Sequence, residues 1–184
     1  CFTFLLINLE IAMRLYRKII PKIAKDVIRT LSRKELIEIE ISQIEEAELD
    51  IAAIMVEYQN SEDRVSIEAK DVLSRRCIGF ERYAQVKKSI ADVRGLKIGA
   101  DGIGHILDQI LEGLFASKNI EEIFAEDHEI KKNVKEIMDK YMIVSEDLDL
   151  TVRRRLKNIK EGTPEWEIEY PRMVSQLRRQ KGLI

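Results

Sequence analysis

Basic side chains recur at helical spacing near the start of the chain, where they could bind an anion. On a helix that turns by about 100° per residue, five of them share one narrow stripe: Arg14, Lys18, Lys22, Lys25 and Arg29. A row of cations can attract RNA, DNA or an acidic protein surface. A solvated or ion-paired helix face gives the same pattern, so the role of this basic stripe stays open at this point.

A second charged stripe follows at a constant offset of 83 residues, with the sign reversed after its first position. Its members are Lys97, Asp101, His105, Asp108 and Glu112. A histidine and carboxylates on one helix face can ligate a divalent metal ion, but neither an HExxH nor an ExxH motif is present. We therefore expect no metal or other cofactor. The two stripes are expected to be solvated, to pair with each other or to bind an anionic partner.

No other group of residues forms a recognisable catalytic set, so we assign no catalytic residue. His105 and His128 are the two histidines, and no serine or cysteine is placed to act with either. The glycines of residues 99–104 lack the preceding strand of a dinucleotide-binding turn. The two cysteines make neither a disulfide framework nor a zinc motif, which favours a reducing cytoplasm, with Cys77 packed as a small apolar residue.

The helices that carry the stripes repeat their apolar residues at the same offset. Ile23 coincides with Ile106, Val27 with Ile110 and Leu31 with Leu114. Proline at position 21 and glycine at position 104 are both poor interior helix formers, so each helix is expected to begin near that point. Self-similarity at a fixed period indicates repeated structural units.

The predicted fold is all-α, with two tandem similar units of about four helices each, residues 13–95 and 96–184. Hydrophobic residues make up 45% and charged residues 35% of the chain, which is typical of a helix-rich globular protein. A short strand is expected near residues 36–41, where LIEIEI alternates with period two. The net charge of −2 gives no global attraction to nucleic acid or to an anionic membrane.

Serines and threonines with acids downstream mark further helix starts. Ser42, Ser61, Ser145 and Thr163 are predicted N-terminal caps, the last followed by proline at the first helical position. Gly79 and Gly162 are predicted helix stops. The arginines of residues 153–155 are expected to pair with acids upstream, Asp149 among them.

Residues 1–12 are expected to be an N-terminal extension outside the fold, with a natural start at Met13. Their apolar run, Phe2 to Ile7, is much shorter than the roughly 20 residues that span a bilayer. A processed lipoprotein would also begin with cysteine, but no lipobox supports that alternative. No membrane span is therefore expected.

Several sequence segments resemble those of an uncharacterised bacterial family, the one catalogued as domain of unknown function 507. They include MRLYRKIIPKIAKDVIRTL, EEAELDIAAIMVEY, IFAEDHEI and EGTPEWEIEY, and the resemblance covers Met13 to Leu183. It implies a mostly helical cytoplasmic protein. It supplies no activity, cofactor or catalytic residue.

Three hypotheses for function follow. The first is a non-enzymatic cytoplasmic interaction or scaffold protein whose helix surfaces bind a protein partner or another copy of the chain. The second is a nucleic-acid or ribosome-associated protein that uses the basic stripe. The third is a metal-dependent enzyme around His105.

Overall fold

The computed structural model describes Leu15, residues 17–159 and residues 163–180. Arg14 and the predicted extension of residues 1–12 lie outside the described residues. The protein is mainly α-helical, as predicted. In chain order its elements are α1 (Ile20–Arg33), β1 (Ile37–Glu38), α2 (Ile44–Arg75), α3 (Tyr83–Val93), α4 (Gly102–Ala116), β2 (Glu122–Ile123), α5 (Asp127–Arg155) and α6 (Pro164–Gln180).

The chain forms two compact units, Cys1–Asp139 and Lys140–Ile184. In the first unit the long helix α2 is central, because α1, α3 and α4 all pack against it. The apolar face of α1 is fully buried and consists of Ile20, Ile23, Ala24, Val27, Ile28 and Leu31. Ile51 and Met55 of α2 are equally buried. Removal of these side chains from water is the main favourable contribution to folding of this unit.

Helix α1 begins where the sequence predicts. Pro21 stands in its first turn, where a missing backbone N–H costs no hydrogen bond. Helix α4 begins at Gly102, so Gly104 also lies in a first turn. A Cβ at Gly113 would collide with the Ile54 side chain, and this glycine therefore lets α4 approach α2 closely.

Three predicted caps are wrong. Ser42 lies in a 3₁₀ turn, and the residue before α2 is Gln43, which makes no side-chain capping bond. Ser61 and Ser145 lie inside α2 and α5, so two predicted helices merge into one in each half of the chain. No proline or glycine interrupts residues 44–75, and the buried face continues through Tyr58 and Val65. Burial of that face outweighs the local preference of serine for a helix terminus.

Helix α2 ends before Gly79, but another residue makes the turn. Cys77 adopts the left-handed conformation (φ 50°), and Ile78 N donates to Leu73 O at 3.0 Å. The same pattern ends α1, where Glu35 has φ 57° and Leu36 N donates to Leu31 O. These are Schellman stops with a non-glycine residue at the left-handed position. Gly162, the other predicted stop, lies outside the described residues.

A two-stranded antiparallel ribbon in the first unit joins the segment after α1 to the segment after α4. The predicted strand near residues 36–41 is present but shorter, Ile37–Glu38, and its partner Glu122–Ile123 was not predicted. Ile37 lies opposite Ile123, and Glu38 lies opposite Glu122. The order helix, strand, long helix, helix occurs twice along the described chain. The duplication itself stays a prediction.

The second unit contains the C-terminal part of α5 and all of α6. Its buried apolar residues are Leu148, Val152, Leu156, Trp166, Val174 and Leu177. The predicted start of α6 is confirmed, because Trp166 N donates to Thr163 Oγ1 at 3.3 Å. A threonine cap before proline fixes where the last helix begins.

Candidate functional site

The described part of the basic stripe lies on the exposed side of α1 and of the 3₁₀ turn that precedes it, Arg17–Ile19. Lys18, Lys22, Lys25 and Arg29 are all exposed, opposite the buried apolar face. Arg29 Nε lies 3.1 Å from Glu48 Oε1 of α2, and only 17% of the Glu48 side chain is exposed. The far end of the stripe is therefore already used in an ion pair within the molecule.

The second stripe runs from the 3₁₀ turn Gly99–Asp101 onto α4. Asp101, Asp108 and Glu112 are exposed, and His105 is half-buried. Asp108 Oδ1 lies 2.6 Å from Lys131 Nζ of α5. The hydrogen bond from Lys131 to Asp108 raises the pKa of this lysine, and the negative charges of Asp127 and Glu112 add to the effect. Each stripe thus makes an ion pair with the long helix that follows it.

The two ion pairs share a corresponding position on the partner helix, with the charge reversed, whereas their stripe residues lie one helical turn apart. At the offset of 83 residues, Arg29 corresponds to Glu112, Lys25 to Asp108 and Glu48 to Lys131. The reversal of charge in the second stripe is therefore matched by a reversal on its partner helix. One charge of each stripe is therefore neutralised by the long helix that follows it.

His105 contacts an aromatic ring instead of a cluster of ligands. Its ring centroid lies 6.0 Å from that of Tyr58, at an interplanar angle of 50°. The Tyr58 hydroxyl donates to Lys97 O at 3.0 Å. In the described part of the chain, no three histidine, cysteine or acidic side chains gather closely enough to hold a metal ion. The hypothesis of a metal-dependent enzyme gains no support here, and neither does the nucleic-acid hypothesis.

Two polar contacts between the halves of the first unit were missed from the sequence. Asp50 accepts hydrogen bonds from Ser117 Oγ at 2.7 Å and Asn119 Nδ2 at 2.9 Å. Lys34 Nζ donates to Asn133 Oδ1 at 2.5 Å. Ser117 and Asn133 lie 83 positions after Lys34 and Asp50. Comparison of aligned polar residues could have found both contacts.

An open apolar pocket, also missed, lies where α2 ends and the chain turns into α3. Its volume is about 340 Å³, and it is lined by Lys70, Leu73, Ser74, Cys77, Ile78 and Phe80. Leu73 is buried, whereas 60% of Phe80 is exposed. The thiol of Cys77 is free and exposed, so the prediction that Cys77 is packed as a small apolar residue is wrong. The sequence contains no signal for this surface, because the exposure of Phe80 is visible only in the structure.

In the second unit, the predicted pairing of Asp149 is confirmed. Asp149, of which 5% is exposed, accepts hydrogen bonds from Arg153 Nε at 2.7 Å and from the Tyr170 hydroxyl. The Arg153 guanidinium lies 5.6 Å from the centroid of the Trp166 ring, which stacks on Tyr170. These contacts attach α6 to the C-terminal part of α5. They satisfy the carboxylate internally, which is typical of a structural ion pair.

His128 is an exposed histidine near the start of α5, and its Nδ1 lies 3.2 Å from Glu126 Oε2. Among the described residues, no helix combines the length and apolar character that a bilayer-spanning segment requires.

The protein is mainly α-helical, and both charged stripes make ion pairs with a neighbouring helix. A family model described as "Protein of unknown function (DUF507)" matches residues 13–183. The chain belongs to this family. The match excludes the first twelve residues. A comparison with curated proteins gave no match.

Proposed function

We propose that the protein is a non-enzymatic interaction protein that binds another protein through its helix surfaces. The observation that carries this proposal is the open apolar pocket between α2 and α3, with Phe80 exposed at its edge. An exposed phenylalanine does not gain the free energy that its burial would provide. Aromatic side chains are enriched at protein interfaces, where such burial occurs. No catalytic role is assigned to any described residue.

A cytoplasmic location is part of the proposal. Its support is the exposed free thiol of Cys77, since such a thiol suits a reducing compartment. The sequence has only two cysteines and no disulfide pattern.

Photocrosslinking in the native cell tests the proposal. A photoreactive phenylalanine analogue would replace Phe80 in the full chain, and crosslinked proteins would be identified by mass spectrometry. Phe115 is the matched control, because it is 58% exposed and does not line the pocket. A discrete protein crosslinked from position 80 and not from position 115 is the expected result.

Crosslinks to a second copy of the chain would assign the surface to self-association. Identical crosslinking from both positions, or none from position 80, would contradict the proposal.

A further inference from the structure

We propose that the pocket between α2 and α3 binds a short acidic segment of a protein partner, which places one large apolar side chain against Leu73, Ile78 and Phe80. The inference rests on the proposed function and adds the chemistry of the partner. Three properties of the pocket carry it: its apolar surface, its preformed backbone and its basic surroundings.

The apolar surface suits a single side chain. Leu73 is buried, Ile78 is half-buried and the Phe80 ring forms an exposed wall. The Phe80 ring stacks on Tyr83 at 5.0 Å with an interplanar angle of 7°, which holds its orientation. A volume of about 340 Å³ accommodates a leucine, phenylalanine or tryptophan side chain.

Hydrogen bonds fix the backbone of the turns around the pocket. Arg76 N donates to Val72 O at 3.0 Å, and Ile78 N donates to Leu73 O at 3.0 Å. Arg82 N donates to Gly79 O at 3.1 Å in the next turn. A preformed backbone reduces the conformational entropy that binding must remove.

The surroundings of the pocket are basic. Lys70 lines it, and Arg76 and Arg82 are exposed in the adjoining turns. Cations outnumber acids among residues 70–82, namely Lys70, Arg75, Arg76 and Arg82 against Asp71 and Glu81. Asp71 is itself paired with Arg75 at 2.8 Å. A positive rim favours an acidic segment and repels a basic one.

Nucleic acid fits this surface less well than a peptide does. One side of the Phe80 ring is covered by Tyr83, and the remaining apolar lining, Leu73 and Ile78, is aliphatic. Binding of single strands normally uses several aromatic rings in series. An oligonucleotide is therefore included in the test as a competing ligand.

The test measures the binding of peptides to the full chain, by fluorescence anisotropy and by changes in the amide chemical shifts of the protein. The probes are three nine-residue peptides: a central tryptophan flanked by glutamates, the same with lysines, and the glutamate peptide with a central serine. A ten-residue oligoadenylate is the fourth probe. We expect the glutamate–tryptophan peptide to bind at least tenfold more tightly than the others at low salt, with shifts centred on residues 70–83.

Variants then separate the apolar and charged contributions. Phe80→Ala should weaken binding at least fivefold, whereas Phe115→Ala, a phenylalanine of similar exposure, should leave it unchanged. Arg76→Glu combined with Arg82→Glu should reverse the preference toward the lysine peptide. Thermal unfolding of each variant, followed by circular dichroism, verifies that the helices are intact.

Several results would overturn the proposal. They are tighter binding of the lysine peptide or the oligonucleotide, shifts centred outside residues 70–83, or no binding by any probe. The proposed function would survive these outcomes if crosslinking from position 80 still captured a discrete protein. If neither the crosslink nor peptide binding were observed, both proposals would be contradicted.

Discussion

At the scale of single residues, the helix stops at Glu35 and Cys77 are unusual, because both hold a side chain in the left-handed region. Gly95 ends α3 in the same way with φ 69°, and there the residue carries no Cβ. An L-residue in this region is disfavoured by contact between its Cβ and the following carbonyl oxygen. The two non-glycine stops therefore reduce the stability of the fold.

Glu35→Gly should stabilise the protein by up to about 1 kcal/mol, since glycine adopts this conformation without steric cost. Glu35 is exposed, so the substitution removes no buried contact. Urea unfolding measures the change. The control is Ser32→Gly in the last turn of α1, which should destabilise by roughly 0.5 kcal/mol, the difference in helix propensity between serine and glycine. A loss of stability in Glu35→Gly would disprove the argument.

Tyr58 gives the clearest dependence on pH. Burial raises the pKa of Tyr58 well above the usual tyrosine value, and the negative charge of Glu62 adds to this. The unfolded chain loses the proton near pH 10 while the folded protein keeps it. The contribution of Tyr58 to stability is therefore complete below about pH 10 and falls as the pH rises above that value.

Tyr58→Phe removes the hydrogen bond to Lys97 O and should cost about 1 kcal/mol at pH 8. The difference in the free energy of unfolding between this variant and the native protein should shrink between pH 10 and pH 11. Tyr58 ionises in the unfolded native chain over this range, whereas phenylalanine does not ionise. Urea unfolding at several pH values measures this, with Tyr83→Phe as a control. A constant difference across the range would show that ionisation of Tyr58 is not involved.

At the scale of elements, the ion pairs help to determine which helices pack together. Arg29 of α1 meets Glu48 of α2, and Asp108 of α4 meets Lys131 of α5. If the first helix packed in the corresponding place on α5, Arg29 would approach Lys131 instead. Reversed charges at corresponding positions thus disfavour an exchange of similar helices.

A charge exchange tests this role. Arg29→Glu and Glu48→Lys should each lower stability by up to about 1 kcal/mol, since one side of the pair is exposed. The double variant should recover most of that loss, because the pair is restored with opposite sign. A double-mutant cycle from urea unfolding measures the coupling. Strictly additive losses would show that the two side chains do not interact.

Individual helices were predictable from the sequence to different degrees. The start of α1 at Pro21 and the cap of α6 at Thr163 depend on local backbone chemistry, and both were correct. Ser61 failed as a cap because the buried face of α2 continues past it, a tertiary effect that local preference does not contain. The pocket at Phe80 depends on the left-handed turn at Cys77, whereas the sequence indicated only a helix stop near Gly79.

At the scale of the whole molecule, the two compact units can be followed separately. Trp166 is the only tryptophan, and it lies in the second unit beside Arg153. Its fluorescence therefore reports on the packing of α6. Circular dichroism follows the helices of the entire chain.

Asp149→Ala should destabilise the second unit by roughly 2–3 kcal/mol, because it leaves Arg153 and the Tyr170 hydroxyl without their common acceptor. Trp166 fluorescence should change at lower urea concentration than in the native protein. Glu169→Ala is the control, since the pair of Glu169 with Arg172 is largely exposed. Equal shifts in the two variants would contradict a special role for Asp149.

The domain organisation proposed from the sequence stays a prediction. The two proposed repeats, residues 13–95 and 96–184, rest on aligned residues such as Met55 and Met138, both fully buried. We propose that the repeats reflect an ancestral duplication. The polar contacts of Lys34 with Asn133 and of Asp50 with Ser117, at aligned positions, support this.

The ribbon of β1 and β2 has a consequence for the history of the chain. Two strands that follow corresponding helices pair antiparallel, with Ile37 opposite Ile123. A two-fold axis perpendicular to a ribbon creates this arrangement, and two separate copies of a half-length protein would form it between them. Under the proposed duplication, gene fusion converted a homodimer interface into an internal one. Residues 94–98 would then be the tether that made association of the halves independent of protein concentration.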